Sequence, residues 1–275
     1  MPAGTKLKDL LATFPSILVG YSGGVDSALL AVVARLVLGR DRAVAAMGLS
    51  ASYPAVQREQ AGAVARQFDL DLVEVSTDEL SDPRYVSNAP SRCYFCKQEL
   101  WAKLVRLARE RGLAVVADGT NADDLDDHRP GLEAAKEFGV RAPLAEAGLT
   151  KADVRAEARS LGIPIWDAPA APCLSSRVMY GLSVTRDRLR QVEDGEACLR
   201  EAGVRGDLRV RHRGSEARIE VLPDQFEQVR EHSDAIAARL VALGFDRVTL
   251  DLRGYRRGSL LGDEEARTEL LAERA

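Results

Sequence analysis

The sequence has 275 residues, of which 46% are hydrophobic and 29% are charged, as in ordinary globular proteins. This length allows one large domain and one small domain. No apolar run approaches the ~20 residues that span a bilayer, and residues 1–14 lack the apolar core of a signal peptide. We therefore expect a cytoplasmic protein without membrane contact. The net charge of −4 argues against a protein built mainly to hold a nucleic-acid backbone.

Apolar runs alternate with helical patterns through residues 1–165, which we predict to form the first domain. Strands are predicted at 17–20, 43–49, 72–75 and 114–117, and helices at 28–38, 55–68, 98–110, 132–138 and 151–161. Thr150 and Asp153 form a capping-box pattern before the last helix, and Gly162 ends it. This alternation predicts an α/β fold with a doubly wound parallel sheet, whose ligand lies at the carboxyl ends of the strands.

The remaining residues predict a smaller second domain. Residues 166–182 are rich in Pro, Ala and Ser and have no periodicity, so we interpret them as an active-site loop and linker. Residues 183–262 then have the order α-β-β-α-β, with helices at 186–202 and 224–243 and strands at 208–213, 217–222 and 247–252. This order predicts an α+β domain with an antiparallel sheet and two helices on one face. The charged tail, 263–275, has a helical composition and is expected to be a solvated end.

A Gly-Gly turn between the first strand and the first helix is the most informative segment of the chain. It reads Tyr-Ser-Gly-Gly-Val-Asp-Ser at residues 21–27. Glycine lets the backbone approach a ligand closely, and the N–H groups of a first helical turn favour an anion. Ser22, Asp26 and Ser27 add hydroxyl and carboxylate groups there. The alternative is a glycine-rich turn that only caps a helix. The GxxxxGK[ST] pattern of kinase-type P-loops is absent.

This segment resembles the PP-loop, SGG-[hydrophobic]-DS, of the ATP pyrophosphatases. The resemblance implies that the loop holds the pyrophosphate end of ATP, and that ATP is split into AMP and pyrophosphate. The residues that it assigns to nucleotide binding in and beside the loop are Gly20, Tyr21, Ser22, Gly23, Gly24, Asp26, Ser27 and Met47.

The spacing of the cysteines suggests a metal-binding or redox function. Cys93 and Cys96 form a CxxC pair, which brings two thiols close enough to share a metal or form a bond. We expect Cys93 and Cys96 to lie on one loop and Cys173 on a second, with the two loops converging above the sheet. Three thiolates suit a [4Fe–4S] cluster with one iron left open for a ligand. Two alternatives are redox or persulfide-carrying thiols and unrelated structural cysteines. Cys198 lies in a helical pattern and is interpreted as a packed thiol.

Taken together, SGGVDS, RCYFCK and PCLSSR resemble LarE, the ATP-dependent sulfur insertase family that assembles the nickel-pincer nucleotide cofactor. The resemblance extends to residues 118–124, 149–164 and the GYRRGS segment at 254–259, so it covers nearly the whole chain. SGGVDS alone is shared with NAD synthetases, GMP synthetases and tRNA thiolases. The combination of PCLSSR with a GYRxGS segment is much narrower.

The LarE resemblance implies a reaction. The substrate is pyridinium-3,5-biscarboxylic acid mononucleotide, whose carboxylate is adenylated with release of pyrophosphate, and sulfur then displaces AMP to leave a thiocarboxylate. Many members carry a single cysteine at the position of Cys173, donate its sulfur and keep dehydroalanine. This chain also has Cys93 and Cys96, which indicates the cluster-bearing branch, where a sulfide on the open iron is the donor. The implied catalytic residues are Cys173, Asp26, Ser27, Ser176 and Arg177.

Adenylation brings two anions together, so Mg²⁺ and helix amides are expected to offset their charge. Asp26 and Asp124 are the predicted Mg²⁺ ligands, although Asp124 alternatively caps or orients its loop. Gly119, Thr120 and Asn121 follow a strand end, where the adenosine should lie; turn chemistry is the alternative there.

Basic residues alternate along the strand predicted at 208–213. Arg209, Arg211 and Arg213 share one face, which is either a solvated face or a site for a substrate with one phosphate and two carboxylates. Arg256 is predicted to join that site, together with Arg177. The histidines, His128, His212 and His232, lack metal-ligand spacing and are interpreted as surface or capping residues.

Three other functions compete with sulfur insertion into a nucleotide. A tRNA thiolase with a three-cysteine [4Fe–4S] cluster would usually carry zinc-binding CxxC pairs or an RNA-binding domain, and neither is present in the sequence. An ammonia- or glutamine-dependent synthetase leaves the cysteines unexplained. A non-catalytic AMP-binding module has no need of the SGGVDS segment. We therefore expect a small-molecule nucleotide substrate, a homo-oligomer whose second domain binds substrate and a neighbouring copy, and cofactor-assembly proteins as partners.

Overall fold

The structure is a computed structural model that describes residues 3–126, 130–169, 172–256 and 268–273. The chain divides into two compact units, one of Met1–Asp82 with Ser91–Ala171 and one of Pro83–Pro90 with Pro172–Ala275. His128 and residues 257–267 lie outside the described residues, and so do residues 170 and 171. No described helix combines the length and apolar character needed to cross a membrane.

The first half of the chain alternates between helices and strands, as the sequence predicts. The elements are α1 (Ala3–Ala12), β1 (Ile17–Gly20), α2 (Val25–Leu38), β2 (Ala43–Leu49), α3 (Ala55–Gln67), β3 (Asp71–Ser76), α4 (Pro83–Val86), α5 (Arg92–Glu110), β4 (Val115–Ala117), α6 (Pro130–Glu137), α7 (Pro143–Glu146) and α8 (Lys151–Ser160). Of these, α4 belongs to the second unit.

The first unit is built on a four-stranded parallel sheet in the order β3-β2-β1-β4. Successive side chains of β1 pack on opposite faces: Ile17 and Val19 join the core under α2, whereas Leu18 joins Trp101 of α5. Helices on both faces confirm the predicted doubly wound α/β fold. The carboxyl end of β1 leads directly into the Gly-Gly turn and α2, which places the turn at the edge where ligands bind such sheets.

Two helices begin three or more residues earlier than predicted. The first predicted helix begins at residue 28 but α2 begins at Val25, so Asp26 and Ser27 belong to its first turn. The helix predicted at 98–110 extends back to Arg92, so the CxxC pair is helical and its predicted loop placement is wrong. Cys, Tyr and Phe are weak helix formers, and a sequence pattern therefore undervalues the stretch that precedes Lys97.

The second unit contains the remaining elements, which are α9 (Arg186–Glu201), β5 (Leu208–Arg213), β6 (Glu216–Val221), α10 (Phe226–Glu231), α11 (Ser233–Ala242), β7 (Arg247–Asp251) and β8 (Thr268–Glu273). The single helix predicted at 224–243 is interrupted at His232. The sheet order is β5-β6-β7-β8.

Two predictions for this second sheet are wrong. The sheet is mixed and not antiparallel, because α10 and α11 form a crossover that returns β7 parallel to β6. Residues 268–273 of the predicted solvated tail form β8, which pairs antiparallel with β7. An open sheet edge can pair with a segment even when the composition of that segment favours a helix. Local composition therefore does not reveal this pairing.

The segment Pro83–Pro90 packs against the turn that follows Cys173. The hydroxyls of Tyr85 and Ser175 lie 2.5 Å apart, and both side chains are buried. Asn88 donates from Nδ2 to Met179 O at 2.8 Å and to Leu182 O at 2.9 Å. This short segment therefore fixes the backbone on the carboxyl side of Cys173.

Candidate active site

The amino end of α2 lies beside the Gly-Gly turn without a capping side chain. Its N-cap residue is Gly24, so the first-turn N–H groups lack the acceptor that usually satisfies them. Ser27 Oγ donates to Gly24 O at 3.0 Å and accepts from Ser22 N at 3.1 Å. These hydrogen bonds close the loop on itself. They leave the positive end of the helix dipole available to an anion.

Glycine is required at two positions around this loop. Gly23 has φ 71°, in the left-handed region that L side chains rarely adopt. A Cβ at Gly119 would lie 2.7 Å from Ser27 N, so β4 leads directly onto the first turn of α2. The segment predicted to bind adenosine is therefore adjacent to the predicted pyrophosphate loop.

Asp26 is held by two residues distant in sequence. Its Oδ1 accepts a hydrogen bond from Asn121 Nδ2 at 3.0 Å, and its Oδ2 forms an ion pair with Lys151 Nζ. Lys151 is the first residue of α8, after the Thr150–Asp153 capping box, which confirms that predicted cap. Sequence reasoning missed Lys151 as a site residue. The available signal was a cation at a helix amino end, where the helix dipole disfavours it.

The loop after β4 is ordered by its own carboxylates. Thr120 N donates to Asp118 Oδ1 at 3.0 Å, and burial raises the pKa of Asp118. Asn121 is buried, and its N–H donates to Asp124 Oδ2 at 3.2 Å. This contact corresponds to the alternative interpretation, in which Asp124 orients the loop; a metal role for Asp124 stays a prediction.

The two predicted Mg²⁺ ligands share a neighbour, because Asp26 and Asp124 both accept hydrogen bonds from Asn121. Proteins usually hold Mg²⁺ with one or two carboxylates and complete the coordination with substrate phosphates and water. These residues fit that donor set. Within the described ranges, no group of three or more His, Cys, Asp or Glu side chains is placed to hold a metal.

Gly20 and Met47, two residues of the predicted nucleotide set, lie against side chains of the core. A Cβ at Gly20 would lie 2.7 Å from the Trp101 ring, so the ring covers this strand end. Met47 is fully buried in β2 and packs in the core under α2. Tyr21 is also buried, and burial raises its pKa while its hydroxyl donates to Ala61 O at 3.0 Å. These three residues therefore form the contacts between the loop and the core beneath it.

The cysteines fall in both units of the fold. Cys93 and Cys96 are three residues apart on α5, which places both thiols on one helix face, with Cys93 exposed and Cys96 half-buried. Cys173 is half-buried in the second unit and precedes a short 3-10 turn. Cys93 and Cys96 thus belong to the first unit and Cys173 to the second, and a [4Fe–4S] cluster on these three thiols stays a prediction. Cys198 is buried in α9, as predicted.

Arg177 braces the turn that carries Cys173. Its Nη1 donates to Cys173 O at 3.0 Å, to Ser176 Oγ at 3.1 Å and to Pro172 O. Its Nε donates to Glu196 Oε1 at 2.9 Å, and each of these two charged side chains is only 4% exposed. The guanidinium therefore binds three groups of one turn and a buried carboxylate on α9.

The solvated-face interpretation of the basic strand is wrong for two of its arginines. Arg209 and Arg211 are 6% and 7% exposed. Arg211 pairs with Glu220 at 2.8 Å and donates to Ser176 O at 2.9 Å, which links β5 to the Cys173 turn. Arg209 stacks over the Tyr255 ring at 4.9 Å, and burial lowers its pKa.

The other two predicted substrate arginines are more accessible. Arg213 lies 3.6 Å from Glu216, and Arg256 lies 3.9 Å from Asp251 with its side chain 37% exposed. The structure thus places the four arginines on and beside one sheet. Their binding of substrate stays a prediction.

His212 is buried in β5, so its predicted placement as a surface or capping residue is wrong. The ring lies 5.0 Å from Phe245, and Nε2 is 2.9 Å from Gln191 Oε1. Burial, together with the charge of Arg188, lowers the pKa of His212 to about 4. His232, by contrast, is exposed at the amino end of α11, as predicted.

Comparison with known proteins places this site in a family. The family model described as NAD synthase matches residues 6–116, which include the loop and α2. An uncharacterised protein of Synechocystis is 44% identical over 93% of this chain and 97% of its own length. The pyridinium-3,5-bisthiocarboxylic acid mononucleotide synthase of Lactiplantibacillus plantarum is 36% identical over 92% of this chain and 90% of its own length. The chain belongs to the LarE family.

The chain is therefore an ATP-dependent sulfurtransferase with a PP-loop domain. Its PP-loop leads into the amino end of α2, which has no capping side chain. An uncharacterised protein of Methanocaldococcus jannaschii is similar as well, at 30% identity over 87% of this chain and 90% of its own length. These three relatives match nearly full length, so the likeness includes both compact units.

Proposed function

We propose that this LarE-family enzyme adenylates a carboxylate of pyridinium-3,5-biscarboxylic acid mononucleotide with ATP and replaces the adenylate by sulfur. The observation that carries the proposal is the first turn of α2. It has no capping side chain, and its Asp26 is paired with Lys151 beside the loop after β4. The named synthase from Lactiplantibacillus plantarum supports the choice of substrate.

Adenylation releases pyrophosphate, so the enzyme must bind this leaving group and offset its negative charge. The amino end of α2 supplies backbone N–H groups and a positive dipole, and Ser27 keeps the loop closed around them. Lys151 is paired with Asp26 and lies beside this loop, so its ammonium can turn to a phosphate oxygen. When bound by Asp26 and Asp124, Mg²⁺ would offset phosphate charge.

Sulfur transfer requires a nucleophilic sulfur at the acyl adenylate, and we assign this role to the turn of Cys173. In the sacrificial route, the Cys173 thiolate forms a C–S bond to the acyl carbon and AMP leaves with the C–O electron pair. Loss of the Cys173 Hα and cleavage of its Cβ–S bond then give the thiocarboxylate and dehydroalanine. Arg177 holds the two carbonyls that flank the Cα of Cys173, those of Pro172 and of Cys173 itself, which keeps this backbone in place.

The second route is the predicted [4Fe–4S] cluster on Cys93, Cys96 and Cys173. Mass spectrometry after one turnover separates the two routes. Loss of one H₂S at Cys173 in colourless protein supports the sacrificial route, and it predicts that Cys93→Ala and Cys96→Ala stay active. Brown anaerobic protein that turns over repeatedly with added sulfide supports the cluster, and both variants should then lose transfer. Cys198→Ala is the control, because that thiol is buried in α9.

The ATP chemistry is tested separately from the sulfur chemistry. Asp26→Asn and Ser27→Ala should abolish pyrophosphate release in the presence of the substrate mononucleotide, while unfolding remains cooperative. Ser160→Ala, at the exposed end of α8, is the control for a lost hydroxyl. Release at the wild-type rate in both Asp26→Asn and Ser27→Ala would contradict the proposal.

The same proposal bears on the cellular compartment, the oligomeric state and the partners of the enzyme. A free mononucleotide substrate and product point to a cytoplasmic enzyme that receives one cofactor precursor and passes on another. Homo-oligomer formation and contacts with the enzymes before and after it stay predictions, which light scattering and pull-down with those enzymes would test.

A further inference from the structure

Two side chains, one just before α3 and one in its first turn, hold the PP-loop on the side that faces this helix. Tyr53 donates from its hydroxyl to Ser22 O at 3.1 Å, and Gln57 donates from Nε2 to the same oxygen at 2.7 Å. Gln57 is only 8% exposed although it is a polar residue on a helix surface. One backbone carbonyl of the loop therefore accepts two side-chain hydrogen bonds.

This double contact fixes the orientation of one peptide plane. The described peptide bonds are all trans, so the C=O and N–H of the Ser22–Gly23 peptide point in opposite directions. Because Ser22 O faces Tyr53 and Gln57, the N–H of Gly23 points away from α3. That N–H has no acceptor among the described residues, which leaves it to a ligand.

The surrounding contacts keep this arrangement rigid. A Cβ at Gly23 would lie 2.8 Å from Ala61 Cβ, so the loop and α3 touch without an intervening side chain. Tyr21 donates to Ala61 O and ties the other side of the loop to the same helix. Burial raises the pKa of Tyr53, so its hydroxyl keeps the proton that it donates.

We propose that Tyr53 and Gln57 are positioning residues for ATP cleavage: they hold the Ser22 carbonyl so that the Gly23 N–H faces the pyrophosphate end of the nucleotide. The inference rests on the proposed function, in which this loop binds pyrophosphate. Both side chains act through the Ser22 carbonyl. Since two donors share one acceptor, either alone keeps the peptide in place, and losing both frees it to turn.

The test is a double-mutant cycle with Tyr53→Phe, Gln57→Leu and the combined variant, using titrations of Mg²⁺-pyrophosphate and of AMP. Each single change should weaken pyrophosphate binding by less than about fivefold. The combined variant should weaken it roughly ten- to a hundredfold, which corresponds to one lost charge-assisted hydrogen bond. Binding of AMP should change less than about twofold. Gln60→Leu, exposed on the same helix, is the control.

Several results would overturn the inference. Additive effects would mean that the two donors do not act on one peptide, and equal losses for AMP and pyrophosphate would mean general damage to the site. If Gln57→Leu does not fold, Gln57→Met replaces it in the cycle, because an unbranched thioether keeps the length of the side chain but cannot donate. Wild-type protein that binds neither ligand would refute the ATP site itself, whereas normal binding by the combined variant would refute only the positioning role.

Discussion

Replacing Lys151 by Met tests whether the ion pair beside the PP-loop serves stability or the nucleotide. Lys151 and Asp26 are 38% and 22% exposed, so solvent screens their attraction, and the pair stabilises the fold by at most about 1 kcal/mol. Met keeps the length of the side chain and a good helix propensity. The backbone N–H at this position still donates to Asp123 at 2.8 Å. We therefore expect little change in the free energy of unfolding.

The effect on ATP should be much larger. A charge-assisted hydrogen bond from Lys151 to a phosphate oxygen contributes about 1.5–3 kcal/mol, so its loss should lower kcat/KM for pyrophosphate release roughly ten- to a hundredfold. The assay is continuous pyrophosphate detection with saturating substrate mononucleotide, next to thermal unfolding of the same preparations.

The matched control is Lys103→Met on α5. Lys103 pairs with Glu99, and the two side chains are 40% and 25% exposed, so solvent screens this pair about as much as the Lys151 pair. We expect wild-type pyrophosphate release for Lys103→Met. Equal rates in both variants would refute the phosphate role of Lys151, and a loss of cooperative unfolding confined to Lys151→Met would make its role structural.

Three further predictions concern Arg211, His212 and Gly119. Arg211→Met should lower the free energy of unfolding by about 3–5 kcal/mol because it removes the guanidinium that is paired with the buried Glu220 carboxylate; adding Glu220→Leu should recover part of that loss, and chemical denaturation measures both. The free energy of unfolding should fall by up to about 3 kcal/mol as the pH drops from 6.5 towards 4. In this range His212 binds a proton in the unfolded chain but stays neutral in the folded protein, where its pKa is about 4. His212→Gln should flatten that pH profile, and His232→Gln should not. Gly119→Ala should abolish ATP binding in titration calorimetry, since its Cβ would lie 2.7 Å from a backbone nitrogen of α2.

The sequence predicted most of the first sheet and the position of the loop. The strands at 17–20 and 43–49 match β1 and β2 at both ends, because buried parallel strands appear as short apolar runs between turn residues. SGGVDS lies between β1 and α2, where the loop was expected. Thr150 caps α8 through local hydrogen bonds, which three residues of sequence suffice to specify.

Long-range pairings could not be predicted from local patterns. Lys151 meets Asp26 across 125 positions, and Gln57 meets Ser22 across 35. Neither spacing has a periodicity to detect. The alternation along β5 put its arginines on one face but left open whether that face is solvated, because the answer depends on Glu220 of the next strand.

The sequence by itself determined the α/β class of the first unit, the PP-loop and the order of most elements, since these depend on periodicity, glycine and caps within a few residues. Tertiary structure alone decided that β7 runs parallel to β6, that residues 268–273 complete the second sheet, and that Arg177 and Arg211 are buried. Strand pairing and burial depend on which distant segment fills a neighbouring edge or face. The pairing that forms is the one that minimises the free energy of the whole chain, so it cannot be predicted from a short stretch of sequence.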